Sequence, residues 1–167
     1  MPMTSRERVL AAINHEEPDR IPIVIGASNA TGIKMGPYKG IKEMLGIDAP
    51  DHYLYQWPEL GTAEIDEATL HCLHSDVRAI LDLEPASVLE CNRLREPHSD
   101  CIDSWGSGQI EVTPDHWFPA VHPLASATIP GDLENYTGWP NMDDPTRIAH
   151  VSETARQLAK QNEYAIM

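Results

Sequence analysis

Apolar positions in this chain repeat first with a helical period and then as an almost unbroken run. Val9, Leu10 and Ile13 form a stripe at helical spacing, and Thr4 with Glu7 places a capping box in front of it. Pro18 and Asp19 stop that helix. Ile21, Ile23, Val24 and Ile25 follow as a β-branched run closed by Gly26, the pattern of a strand buried on both faces in a parallel sheet.

The same reading continues down the chain. Tyr38, Ile41, Met44 and Leu45 supply the apolar side of a second helix, with Pro37 in its first turn and Gly46 as its stop. Residues 48–60 are irregular, around Pro50, Trp57 and Pro58. Residues 63–73 read as a helix carrying Ile65, Ala68, Thr69 and Cys72 on one side, and residues 76–81 as a second strand. Residues 84–100 have no clear period. Residues 101–122 alternate like an antiparallel hairpin around Gly106 and Gly108, punctuated by Pro114 and Pro119. After a loop-rich stretch, Asp144 and Pro145 open a helix in which Ile148, Val151, Ala155, Leu158 and Ala159 recur at helical spacing. Asn162 ends it, and residues 164–167 read as the opening of another strand.

Composition narrows the partners. With 12 basic against 26 acidic residues the formal charge is -14, which disfavours non-specific binding to nucleic acid. An anionic ligand would need a local basic pocket, and the candidates are Arg20, Lys34, Lys39, Arg78, Arg93 and Arg95. No apolar run reaches the roughly 18 residues of a membrane span, and no secretory signal pattern opens the chain. Three cysteines, Cys72, Cys91 and Cys101, are an odd set without a pairing pattern. A reducing cytoplasm is the expected setting.

Several segments resemble one superfamily in their order along the chain. They are the opening helix with its strand; Thr31-Gly32-Ile33 leading to residues 38–47; His74-Ser75-Asp76-Val77-Arg78; Ile102-Asp103-Ser104-Trp105-Gly106; His122-Pro123-Leu124; and Trp139-Pro140 before Asp143-Asp144-Pro145. Together they resemble the uroporphyrinogen decarboxylase superfamily, which includes cobalamin-linked methyltransferases. The resemblance implies an α/β fold, a (β/α)8 barrel. Such a barrel takes about 250 residues, so residues 1–167 are expected to form a single incomplete domain: the N-terminal portion of the barrel with an inserted β-hairpin. A sheet left open in this way is expected to self-associate.

The resemblance also implies roles. Ser75-Asp76-Val77 matches the element whose aspartate, in the decarboxylases, holds pyrrole N–H groups and stabilises a protonated intermediate, which makes Asp76 the catalytic candidate. The alternative is that Asp76 caps or orients the strand start beside Arg78. The stretch 26–32 matches the decarboxylases' arginine-bearing substrate element, making Ser28, Asn29 and Thr31 the substrate-binding candidates. It contains no arginine, and a polycarboxylate substrate is best held by arginine forks. The resemblance therefore points first to a parent enzyme transferring methyl groups between a small substrate and a corrinoid cofactor or thiol. Decarboxylation of uroporphyrinogen is the alternative, and a non-catalytic interaction module the third reading. In the methyltransferases zinc is held by later residues, so no metal ligand is assigned in this chain; a corrinoid protein is an expected partner.

Other candidate chemistry is weak. His71 and His74 share a helix end but lack further ligands, and His is favoured at a helix C-terminus by the dipole. His116 and His122 flank Trp117 and Phe118 and suit either a pocket mouth or a hairpin surface with packed aromatics. The acidic residues Asp100, Asp103, Glu111 and Asp115 form no calcium loop. Gly32, Gly36 and Gly40 form no phosphate-binding fingerprint.

Overall fold

A computed structural model describes residues 2–54, 60–80, 101–102, 104–113 and 116–167. Among these the order is α1 (Ser5–Ile13), a 3-10 turn (Asn29–Thr31), α2 (Met35–Leu45), α3 (Glu67–Cys72), β1 (Val77–Arg78), β2 (Cys101–Ile102), β3 (Gly108–Thr113), β4 (His116–Val121), α4 (Pro130–Glu134), α5 (Thr146–Gln161) and β5 (Ala165–Ile166).

Local signals set the helix ends. In α1 the Thr4 hydroxyl accepts from the Glu7 N–H at 3.2 Å while the Glu7 carboxylate accepts from the Thr4 N–H at 2.8 Å, so the capping box is complete. Gly46 closes α2 with φ +67°, a left-handed conformation that costs glycine little. The Asp144 carboxylate accepts from the Thr146 N–H and hydroxyl at 2.9 and 2.8 Å at the start of α5, which Pro145 precedes, and Asn162 ends that helix with φ +52°. The third helix is shorter than its sequence pattern. Asp66 caps it by accepting from the Thr69 N–H at 3.0 Å, so α3 starts at Glu67. The preceding residues are extended instead, with the Ala63 N–H on the Ile33 carbonyl and the Glu64 N–H on the His52 carbonyl, both at 2.8 Å.

Two sheets form. β1 pairs in parallel with β5, Val77 opposite Ala165 and Arg78 opposite Ile166. The pairing is prolonged by the Ile80 N–H on the Met167 carbonyl at 2.8 Å. Helix α1 is tied to this sheet through the Arg6 N–H, which donates to the Glu163 carbonyl at 2.9 Å. The segment expected to be one hairpin is a three-stranded antiparallel sheet in the order β2-β3-β4. Gly106 takes φ +80° between β2 and β3, whereas Gly108 lies within β3. Pro119 sits in β4 opposite Gln109, while Pro114 and Asp115 lie outside the described residues. Residues 84–100, with Cys91, Arg93 and Arg95, and residues Trp57, Pro58, Leu81 and Asp103 also lie outside them.

Residues 21–25 depart from expectation. They do not form a strand ladder, and Ile21, Ile23 and Val24 are 83%, 36% and 36% exposed. The reason is chemical. Pro22 has no N–H to give. The Ile23 N–H goes to the Asp76 carboxylate at 2.8 Å and the Ile25 N–H to the Ser75 hydroxyl at 3.2 Å, so side chains replace the backbone acceptors of a neighbouring strand. The stripe of α1 departs too. Leu10 and Ile13 are exposed, and the buried positions are Arg8 and Ala11. Similarly in α5, Val151, Ala155 and Leu158 are half-buried, but Ile148 and Ala159 are exposed.

The packed centre lies under α2, where Met35, Tyr38 and Ala63 are buried against Ile33, Tyr53 and Ile65. The Tyr38 hydroxyl donates to the Asp66 carboxylate at 2.6 Å and accepts from the Asp66 N–H at 3.3 Å. Burial and that carboxylate push the Tyr38 pKa up to about 12. Lys42, also buried, donates to the Ala49 carbonyl at 2.5 Å, pairs with Asp51 at 2.6 Å and lies over the Tyr38 ring.

Candidate functional site

Asp76 stands immediately before β1, at the amino end of that strand, and is fully buried. Its Oδ1 accepts from Arg8 Nη1 at 2.6 Å and Arg20 Nη2 at 2.8 Å. Its Oδ2 accepts from Arg20 Nη1 at 2.7 Å and the Ile23 N–H at 2.8 Å. Its own N–H donates to the Ile23 carbonyl at 2.7 Å. Arg8 continues the chain of charges. Its Nε and Nη2 donate to the Asp19 carboxylate at 2.6 and 3.0 Å, and Nη2 also reaches the Met3 carbonyl at 2.8 Å. The result is an alternating run, Asp19, Arg8, Asp76, Arg20, that joins α1, the 19–23 segment and the start of β1.

The electrostatics follow from this geometry. Burial pushes the Asp76 carboxyl up, but hydrogen bonds from Arg20, the Ile23 N–H, Ser5 and Arg8 outweigh it and hold its pKa below the ordinary carboxylate value. Hydrogen bonds from Arg8 and the Met3 N–H hold Asp19 well below that range. Asp76 is thus an anion with two donors from Arg20 and one each from Arg8 and the Ile23 N–H on its two oxygens, and Ser5 as a further donor. A carboxylate has about four lone-pair sites, so a substrate N–H could reach it only by displacing an arginine or the Ile23 N–H. Arg78, the neighbour expected beside Asp76, turns elsewhere.

The substrate-binding candidates form a self-contained loop. The Thr31 hydroxyl accepts from the Ala27 and Ser28 N–H groups at 3.1 and 3.0 Å and lies 3.2 Å from the Ser28 hydroxyl. The Gly26 N–H donates to the Thr31 carbonyl at 2.9 Å. This is local hydroxyl-to-backbone turn chemistry, and it brings Ser28 and Thr31 together. Asn29 opens the 3-10 turn between them; its side chain lies outside what the structure describes.

A cavity of about 270 Å³ opens at the carboxyl end of β1. Arg78, Ala79 and Ile80 line it together with Gly26, Ile65 and Leu70, and α5 contributes His150, Thr154 and Leu158 from successive turns of one face. Gly26 is required there. At φ +71°, an added Cβ would stand 3.1 Å from Ile65 Cγ1. Arg78 is buried and grips Glu67 with two parallel bonds, Nε to Oε2 at 2.7 Å and Nη2 to Oε1 at 2.6 Å. Its Nη1 donates to the Ser75 and Val77 carbonyls at 2.9 and 3.0 Å, and the guanidinium stacks 3.6 Å from the Tyr164 ring centroid. Neither Ser28, Thr31 nor Asp76 lines this cavity. Sequence reading missed the Glu67–Arg78 fork and His150. Sequence reading offered Arg78 as one of six basic-pocket candidates, and its fork partner Glu67 lies eleven positions away with no spacing signal.

The remaining candidates are placed as follows. His71 lies in the last turn of α3 and His74 follows the helix with φ +56°; both border a polar cleft of about 150 Å³ with Ser5, Arg20 and Tyr164. Among the described residues no three His, Cys, Asp or Glu side chains converge as a metal site. Cys72 is a free, exposed thiol. His122 lines a separate aromatic hollow near β4, while Phe118 is exposed. No helix among the described residues is long and apolar enough to cross a membrane. In comparisons with known proteins, the chain matches no family model, no curated protein and no solved structure.

Proposed function

We propose that this chain forms the first helices and strands of a (β/α)8 enzyme similar to the uroporphyrinogen decarboxylase superfamily, and that the enzyme transfers methyl groups rather than decarboxylating a tetrapyrrole. The observation that carries this choice is the saturated state of Asp76. Decarboxylase chemistry asks this carboxylate to accept N–H groups of a pyrrole, and here both oxygens already hold two donors each. Four of the described cations point the same way. Arg20 is spent on Asp76, Lys39 and Lys42 on Asp51, and Arg78 on Glu67. A polycarboxylate would have to dismantle these pairs before gaining its own.

In this reading the small substrate enters the cavity at the carboxyl end of β1, where barrel enzymes place their chemistry. Arg78, its charge held by Glu67, lines this cavity with Ala79 and Ile80, and α5 contributes His150, Thr154 and Leu158. A corrinoid, when bound, supplies the methyl group or accepts it. The cavity of about 270 Å³ suits a small molecule and is too small for a corrin ring, so no residue of this chain is assigned to hold the corrinoid. The same is true of zinc, for which no ligand set converges among the described residues.

The test is direct. The complete product of the reading frame is incubated with methylcobalamin and a thiol, with and without zinc. Expected are loss of the methylcobalamin spectrum and appearance of the methylated thiol by mass spectrometry. Release of carbon dioxide from uroporphyrinogen, with no corrinoid binding and no methyl transfer, would overturn the proposal.

A further inference from the structure

Two of the chain's four tryptophans, with one tyrosine, converge on a hollow of about 420 Å³ beside the antiparallel sheet. Trp105 lies in the turn after β2, and Tyr136 and Trp139 lie in the segment after α4. The Trp105 and Trp139 rings are 6.2 Å apart at 87°, and the Tyr136 and Trp139 rings 5.2 Å apart at 89°. Two walls therefore stand perpendicular to a common third. The polar tips of Tyr136 and Trp139 are tied back to the chain. The Tyr136 hydroxyl donates to the Trp105 carbonyl and Trp139 Nε1 donates to the Leu133 carbonyl, each at 3.1 Å. These bonds anchor Tyr136 and Trp139, which line the hollow with Trp105.

Two glycines make room for the arrangement. A Cβ on Gly138 would stand 2.3 Å from Tyr136 Oη and 2.4 Å from its Cζ, so no other residue fits beneath the ring. A Cβ on Gly106 would stand 3.0 Å from the same oxygen. Yet Trp105 and Trp139 remain 45% and 48% exposed. A packing cluster would bury such rings; this one holds them in place around open space.

We propose that Trp105, Tyr136 and Trp139 form a binding site for a quaternary ammonium group. Trp105 and Tyr136 each stand perpendicular to Trp139, and all three line one hollow, a geometry in which ring faces can surround one cation. A primary ammonium needs hydrogen-bond acceptors to replace its water, which π-faces supply poorly. A quaternary ammonium carries no N–H and loses nothing by entering. The chain's net charge of -14 raises the local concentration of cations at its surface. The site is remote in sequence and lining from the cavity beside Arg78 and does not rest on the methyl-transfer reading.

Choline and its neutral isostere 3,3-dimethylbutan-1-ol are titrated against the protein, with tryptophan fluorescence as the readout. The account predicts saturable quenching by choline, and binding of the isostere at least tenfold weaker. Trp139→Leu, which keeps apolar bulk but removes the π-face, should weaken choline binding by about tenfold with an unchanged circular dichroism spectrum. Should that variant fail to fold, Tyr136→Leu is measured instead, with the same expectation. Equal affinity for the two probes would show only a greasy hollow and overturn the proposal. So would the absence of saturable quenching, or choline binding indifferent to a folded variant. Capture of a proline-rich peptide without choline binding would reassign the hollow to peptide recognition.

Discussion

At the scale of single residues, buried polar groups decide more here than apolar ones. Tyr38 shows how. Its hydroxyl is buried and serves as both donor and acceptor to Asp66, which in turn caps α3. Tyr38→Phe leaves the Asp66 carboxylate short of a donor and should cost about 1–3 kcal/mol in urea unfolding. The phenol pKa near 12 has a sign consequence. Its neutral form is favoured by the fold, so this stabilisation is complete below the unfolded value of about 10 and is lost as pH rises from about 10 to 12. A difference ultraviolet titration of wild type against Tyr38→Phe should show one tyrosine ionising near 12; ionisation near 10 would contradict its buried pairing.

The depressed carboxyls act at the other end of the scale. Asp76 and Asp19 have folded pKa values below their unfolded ones. Their stabilisation is therefore present above about pH 4 and is lost as pH falls through the lower folded values. Urea midpoints should hold level for these groups from pH 7 down to about 5 and then fall. Arg8→Gln should flatten that acid limb, because it removes the partner shared by both carboxylates.

At the scale of elements, the sequence was legible where the signal is local. The Thr4–Glu7 box, Gly46, Asp144 with Pro145, and Asn162 all act within a few residues and mark the helix ends they were expected to mark, whereas α1 ends at Ile13, ahead of the Pro18 and Asp19 expected to stop it. Residues 21–25 were not legible as an exposed segment. Their N–H partners are side chains at Ser75 and Asp76, about fifty positions away, and no periodicity encodes that distance. Arg8 was missed for a related reason. A helical wheel assigns charge to solvent, yet this arginine is the buried link between two carboxylates. Of the site, a strand start at Asp76 was readable, but the pairing of its carboxylate with two arginines was not.

Two glycines separate backbone strain from crowding. Both have positive φ, but a Cβ on Gly46 meets nothing within 4 Å, whereas one on Gly26 meets Ile65 at 3.1 Å. Gly46→Ala should cost about 1–2 kcal/mol, the price of the left-handed conformation alone. Gly26→Ala adds the displacement of Ile65 and should cost more, by thermal or urea unfolding. Equal costs would mean that Ile65 gives way freely.

For the whole molecule, apolar exposure and charge oppose each other. Ile21, Ile13 and Met44 are 83%, 66% and 87% exposed, and residues 21–25 form no strand ladder. Such a surface favours association. The net charge of -14 resists it, and salt screens that repulsion. Sedimentation velocity should show self-association that grows with protein concentration and increases from low to physiological salt. A monomer at all concentrations in high salt would contradict an adhesive 21–25 edge.

The account turns on Asp76 as the knot that joins α1, the 19–23 segment and β1, and the most direct measurement is urea unfolding of Asp76→Asn beside wild type. Removing one member of a buried, hydrogen-bonded charge network costs about 3–5 kcal/mol. A loss of that size, with methyl transfer retained by the protein that stays folded in the cold, is the predicted result. Unchanged stability together with abolished turnover would place Asp76 in the chemistry and contradict the account.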